Sequence, residues 1–232
     1  MKTIKGIIPP MITPLKGDDQ IDREGTVRLT EHILAGGVHA LFLLGTTGEA
    51  QSLSYECRYD FVELVCRQVA GRVPVLVGVT DTSLDESVKL AAHAAKCGAV
   101  AVVAAAPYYF APSQQELIEY YTALADALPL PLFLYNMPSH VKVFLEPATV
   151  KTLAEHPNIV GLKDSSANMT YFQTLLYHLG DREDFALYVG PEELTGESVV
   201  MGADGGVNGG ANIFPELYVQ MYYAACNRDV NT

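Results

Sequence analysis

Eight short apolar runs, recurring roughly every 20 to 35 residues with helical segments between them, constrain this chain more than any other feature. The runs are "GIIPPMI", "ALFLLG", "PVLVGV", "VAVVAAAP", "LPLFLYN", "NIVGLK", "FALYVG" and "GGVNGG". They are apolar on both faces, which is the pattern of strands in a parallel sheet covered by helices. In the segments between them, such as "SYECRYDFVELVCRQVAG", apolar residues recur at spacings of three and four, as at Val27 and Leu34 or at Phe61, Leu64 and Val65. Several of these segments open on Ser or Asp with Glu soon after and close on Gly, as Ser83, Glu86 and Gly98 do. Eight β-α units in 232 residues predict a (β/α)8 barrel, an α/β fold, with residues 1–232 as a single domain ending in the eighth helix. The structural rival is a doubly wound open sheet. It would show fewer strands and a Gly-rich phosphate fingerprint after the first, where this chain reads "TPLKGDDQID".

Composition narrows the function classes. With 49% hydrophobic and 18% charged residues the chain can bury a large core. Its formal net charge is −12 and it has no run of Lys or Arg, so nucleic acid is not an expected partner. The apolar start is broken by Pro9, Pro10 and Pro14 and lacks a small-residue cleavage site, so it reads as a first strand and not as a signal. No apolar run reaches the roughly 18 residues that a membrane helix needs. A soluble, cytoplasmic protein is expected. The four cysteines and six histidines are scattered without ligand spacing, so reduced thiols and no metal are expected.

A barrel places its site at the carboxyl ends of its strands. There the chain has "GTTGE" (45–49), "PYY" (107–109), "YNMPSH" (135–140), Lys163, "GPEE" (190–193) and "GGVNGGAN" (205–212). Each has a bland reading. A strand-terminal lysine ordinarily reaches solvent, the Gly-Thr-Thr-Gly turn can be a capped connection, Tyr135 a core tyrosine, and the last glycines a device for closing the sheet. Together they suggest chemistry. An amine in an apolar mouth loses solvation, which favours its neutral, nucleophilic form. It can then form a Schiff base that withdraws electrons from the adjacent carbon. Tyr135, on the neighbouring strand, can carry the proton, and the backbone and hydroxyls of Thr46 and Thr47 can hold a carboxylate.

This set resembles the family that contains dihydrodipicolinate synthase and N-acetylneuraminate lyase, the pyruvate-dependent class I aldolases. The likeness runs from "GIIPPMITPL" to "GGANIFPEL" through "GTTGE", "PYY", "YNMP" and "GLKDSS" in the family's order. It implies a (β/α)8 barrel, pyruvate bound covalently as an imine on Lys163 with no other cofactor, and Tyr135 as the proton-transferring phenol. It also implies that Thr46 and Thr47 hold the pyruvate carboxylate and that the Val207 backbone faces the pyruvyl group. Tyr109 resembles the tyrosine that crosses a subunit interface to complete a relay with Thr46 and Tyr135, which implies a homo-oligomer, a dimer at least and usually a tetramer. Two departures stand out. The synthases carry an arginine where this chain has His140, a smaller, partly charged donor without the bidentate fork, which points away from the synthase reaction unless Lys142 substitutes. The family's C-terminal helical segment, which packs beside the barrel, is missing or not covered, because the sequence stops at "ACNRDVNT".

Glu192 and Glu193 fall where lyase-like members keep acidic residues that contact substrate hydroxyls; a helix N-terminal charge pair explains them equally. The leading expectation is a lyase that cleaves or condenses pyruvate and an aldehyde, of the sugar-acid or hydroxy-oxo acid type. The alternatives are dihydrodipicolinate synthase proper, a sugar-acid dehydratase with the same imine, and a barrel that binds an oxo acid without turnover.

Overall fold

The computed structural model describes residues 4–229. All eight apolar runs form strands, seven of them shorter than the run and one, β6, as long as its run: β1 (Gly6–Ile7), β2 (Leu41–Leu43), β3 (Val75–Gly78), β4 (Ala101–Ala105), β5 (Leu132–Asn136), β6 (Ile159–Asp164), β7 (Ala186–Val189) and β8 (Gly205–Gly206). A helix follows each of them: α1 (Arg23–Ala35), α2 (Tyr55–Val69), α3 (Leu84–Cys97), α4 (Gln114–Ala127), α5 (Pro147–Leu153), α6 (Met169–Leu179), α7 (Thr195–Val200) and α8 (Pro215–Cys226). Local chemistry sets the helix starts. Ser54, Ser83 and Asn168 cap α2, α3 and α6 with their side-chain oxygens, Ser113 and Glu116 form a capping box on α4, and Pro147 and Pro215 open α5 and α8.

The strands make one parallel sheet in the order β1-β8-β7-β6-β5-β4-β3-β2. The sheet is curled. Just past β1, Pro10 pairs in parallel with Phe42 of β2; Phe42 N–H donates to the Pro9 carbonyl at 3.0 Å and Met11 N–H to the Phe42 carbonyl at 2.8 Å. On the other side β8 lies so close to β1 that any side chain at Gly205 would collide with the Gly6 carbonyl. Ile8, Phe42, Leu76, Val103, Phe133, Lys163, Tyr188 and Val207, one residue from each strand or its immediate extension, converge on a space of only 10 Å³. The interior is a packed core and not a channel.

Two details differ from the sequence expectations. Leu15–Gly17 and Gln20–Ile21 pair as a small antiparallel hairpin in the segment after the first run, where the sequence reading marks no strand. In α1 the fully buried positions are Thr26, Thr30 and Ile33, while Val27 and Leu34 are only half-buried. Thr30 can sit inside because its hydroxyl donates to the Thr26 carbonyl at 2.8 Å, one turn back. Among the described residues no helix is long and apolar enough to cross a membrane.

Candidate active site

The site is built on one rung of the sheet. Tyr135 of β5, Lys163 of β6 and Tyr188 of β7 are register partners, and alternation turns all three toward the interior. Lys163 does not reach solvent: it is 6% exposed, and its Nζ lies 4.2 Å from the Tyr135 ring centroid and 5.2 Å from that of Phe42. Cation–π attraction offsets part of the cost of burying the amine. Glycine at position 161, one inward step below, makes room for this. A Cβ there would meet both the Phe133 ring and the Ala186 carbonyl at 2.5 Å.

The Tyr135 hydroxyl lies 3.3 Å from Thr46 Oγ1. Burial pushes its phenol up, but the Lys163 charge and hydrogen bonds with Thr46, Ser165 and Lys163 outweigh burial, so its pKa is lowered. Thr46 is delivered by the 45–49 turn, in which Gly48 N–H donates to the Gly45 carbonyl at 3.1 Å and Glu49 N–H to the Thr46 carbonyl at 3.0 Å. Leu44 (φ 56°) and Glu49 (φ 54°) flank this turn in left-handed conformations, which cost about 1–2 kcal/mol each for non-glycine residues. The surrounding packing therefore holds the turn in a shape it would not choose by itself.

Above the rung a cavity of 350 Å³ opens at the carboxyl ends of the strands. Thr46, Gln51, Thr80, Tyr108, Tyr135 and His140 line it, and among the described residues no Lys or Arg does. Lys163 lines the small inner space below, and Phe42 lines both that space and the cavity.

The other expected residues fall into three groups. Val207 is brought to the amine: it is 6% exposed and lines the inner space with Lys163. His140 is brought to the cavity by a single helical turn, Pro138–Val141, with Nδ1 2.9 Å from Ser139 Oγ. Thr47 is exposed on the rim beside Gly209. Lys142 is not brought in; it is exposed and donates to the Ser139 carbonyl at 3.3 Å, because a left-handed backbone (φ 63°) turns the chain there.

Two of the expected residues lie outside the cavity of this protomer. The Glu192 oxygens each accept from Gly210 N–H at 3.0 Å, and one also accepts the Tyr218 hydroxyl; the carboxylate ties the exits of β7 and β8 to α8 and does not face the cavity. Tyr109 is 79% exposed and packs edge-on against Phe110, away from Tyr135, while its neighbour Tyr108 lines the cavity and donates to Gln51 Oε1 at 3.2 Å. Sequence reasoning missed Thr80 and Ser165. The first follows β3, the one interior strand end passed over, in "GVTDTS", and the second follows Lys163 and Asp164 directly.

Comparison with known proteins gives these features a context. The dihydrodipicolinate synthetase family matches residues 3–232. A 4-hydroxy-tetrahydrodipicolinate synthase from Hyphomonas neptunium is 39% identical over 98% of this chain and 77% of its own length. The solved structure of a dihydrodipicolinate synthase from Bacteroides thetaiotaomicron superposes with a TM-score of 0.96 at 59% identity, over 99% of this chain and 77% of that one. YagE of Escherichia coli, described as a putative 2-dehydro-3-deoxy-D-gluconate aldolase, is 34% identical over 97% of this chain and 75% of its own length. Its structure in complex with pyruvate superposes with a TM-score of 0.93, over 97% of this chain and 76% of that one.

Proposed function

This chain belongs to the dihydrodipicolinate synthetase family, whose lyases are pyruvate-dependent aldolases, and from that premise we propose that it joins or cleaves pyruvate and an aldehyde through an imine on Lys163. The observation that carries the reading is a buried lysine set against a tyrosine whose hydroxyl meets Thr46 and whose pKa is lowered. Lys163 Nζ attacks C2 of pyruvate, water leaves, and the nitrogen becomes an iminium. The iminium draws electrons so that C3 releases a proton and becomes an enamine. C3 then attacks the aldehyde carbon, and the aldehyde oxygen takes a proton passed through Tyr135. Water hydrolyses the new iminium, releasing the product and restoring the amine; cleavage runs the same steps backward. Pyruvate is itself the electron sink, so the sequence of steps calls for no separate cofactor.

Thr46 and Thr47 are read as holders of the pyruvate carboxylate, and Val207 as the wall facing the pyruvyl group. The curled eight-stranded sheet with its joined ends is read as a (β/α)8 barrel in a single domain. The exposed pair Tyr109 and Phe110 supports a homo-oligomer, a dimer or tetramer in which Tyr109 reaches the partner's Thr46 and Tyr135. For the acceptor, a cavity lined by His140, Gln51, Thr80 and Tyr108 and, among the described residues, by no Lys or Arg suits an uncharged hydroxyaldehyde better than a carboxylate-bearing one. The 59% identity to the Bacteroides synthase favours a second reading, the synthase reaction itself.

The test is intact-protein mass spectrometry after incubation with pyruvate and borohydride, with peptide mapping and Lys163→Ala as control. A single reduced pyruvyl adduct on Lys163 is expected. Folded wild-type protein without an adduct sinks the reading. A panel of aldehydes with and without a carboxylate then separates the two acceptor classes.

A further inference from the structure

The rung beyond Tyr135 and Lys163 pairs Asn136 with Asp164. Alternation turns this pair away from the interior, and both residues are 1% exposed. A buried carboxylate is tolerated only when its oxygens are well bonded. Those of Asp164 are: Oδ1 accepts from Asn136 Nδ2 at 2.8 Å and from Ser166 N–H at 3.1 Å, and Oδ2 accepts from Ser166 Oγ at 2.9 Å. Burial still pushes its pKa up against these hydrogen bonds.

The pair does not end with itself. Asn136 Oδ1 accepts the N–H of Leu145 at 3.1 Å, and Leu145 is 1% exposed. Leu145 closes the connection that leaves β5 at Met137 and presents Met137, His140 and Val141 to the cavity. On the other side Ser166 Oγ accepts from Asn168 N–H at 3.2 Å, at the cap of α6. A continuous run of hydrogen bonds thus joins the loop that forms one cavity wall, the residue after Tyr135, the residue after Lys163 and the start of the next helix. The inward rung carries the proposed chemistry, and the outward rung, one residue on, fixes the loop against it. Asp164 and Ser166 belong to the "GLKDSS" motif, yet the proposed chemistry gives them no role.

We infer that Asn136 and Asp164 are positioning residues that hold the 137–145 loop in register with Lys163, so that selection of the acceptor aldehyde depends on the pair while imine formation does not. The inference rests on the pyruvate-imine reading. Its test compares wild type, Asn136→Ala and Asp164→Asn by two readouts: the rate of the borohydride-trapped pyruvate adduct on Lys163, and kcat and KM with glyceraldehyde and with succinic semialdehyde.

In Asn136→Ala, trapping should stay within about twofold of wild type while the aldehyde KM rises about tenfold and the ratio of kcat/KM between the two aldehydes shifts by a similar factor. Asp164→Asn keeps an acceptor for Asn136 and a polar partner for Ser166, so its ratio should stay within about threefold of wild type. A folded Asn136→Ala with unchanged KM and ratio overturns the inference. So does a trapping rate that falls in step with turnover, or an Asp164→Asn variant as impaired as Asn136→Ala. Absence of an adduct on the wild type removes the imine reading, and the inference with it. Should Asn136→Ala fail to fold, hydrogen exchange on the wild type decides: the Leu145 amide should be protected as strongly as the β5 amides, and exchange as fast as at Ser139 and Lys142 overturns the inference.

Discussion

Lys163 has a tyrosine on either side of it in the sheet, and their surroundings give the two opposite properties. Tyr135, on β5, sends its hydroxyl up to the rim, where it meets Thr46, and its pKa is lowered by the amine and its hydrogen bonds in spite of burial. Tyr188, on β7, sends its hydroxyl the other way, to the carbonyl of Ile4, and burial pushes its phenol up. Tyr120 and Tyr171 are likewise pushed up by burial, so the lowered phenol at Tyr135 is not a general property of buried tyrosine here. Being next to the lysine in the sheet is therefore not by itself enough to lower a phenol. At Tyr135 the Lys163 charge acts together with a hydroxyl that turns to the rim and meets Thr46.

The largest expected effect comes from removing what the two tyrosines share. Lys163→Ala should lower kcat by about 10⁴-fold or more and abolish the trapped adduct, measured by steady-state kinetics and mass spectrometry. Tyr135→Phe should lower turnover by about 10²–10³-fold while pyruvate still adds to Lys163, which single-turnover trapping will show.

The same variant sharpens the contrast through pH. A phenolate titration of wild type should show a tyrosine ionising below the ordinary phenol range; the step should vanish in Tyr135→Phe and persist in Tyr188→Phe. The sign follows from the lowered folded-state value. Tyr135 adds no stability below it, and it adds stability as the pH rises from that value to the ordinary one, where the unfolded chain holds the proton longer.

Gly161→Ala pushes a methyl into Phe133 directly beneath the amine and should cost about 1–3 kcal/mol in denaturant unfolding. Tyr188→Phe should have the smallest effect, a loss of about 1 kcal/mol of stability with kcat nearly unchanged. A large loss of turnover in Tyr188→Phe at intact stability would break the comparison between the two sides of the lysine.

Much of the frame was legible in the chain. Strands buried on both faces must be apolar throughout, so all eight runs could be marked, and the serines at 54, 83 and 113 announced helix starts because their oxygens satisfy local backbone donors. Less legible were positions where a polar group is satisfied within the fold. Thr30, whose hydroxyl donates to the Thr26 carbonyl, occupies the buried face of α1 where the periodicity favoured Val27 and Leu34. The carboxylate of Glu192 looked available for substrate, but Gly210 and Tyr218 use it. In "PYY" it is Tyr108 that lines the cavity of this protomer, and nothing local distinguishes it from Tyr109.

The sequence by itself determined the alternation of eight apolar runs and eight helices, the rim as the place where polar residues gather, and the candidacy of Lys163, Tyr135 and Thr46. These depend on periodicity, capping and side-chain chemistry, which act over a few residues. Tertiary structure alone decided that the Lys163 amine rests on the Tyr135 face, that Tyr135 and not Tyr188 turns to Thr46, and that Asp164 is bonded through Asn136 to Leu145. These contacts join residues far apart in the chain, and strand register and packing bring them together.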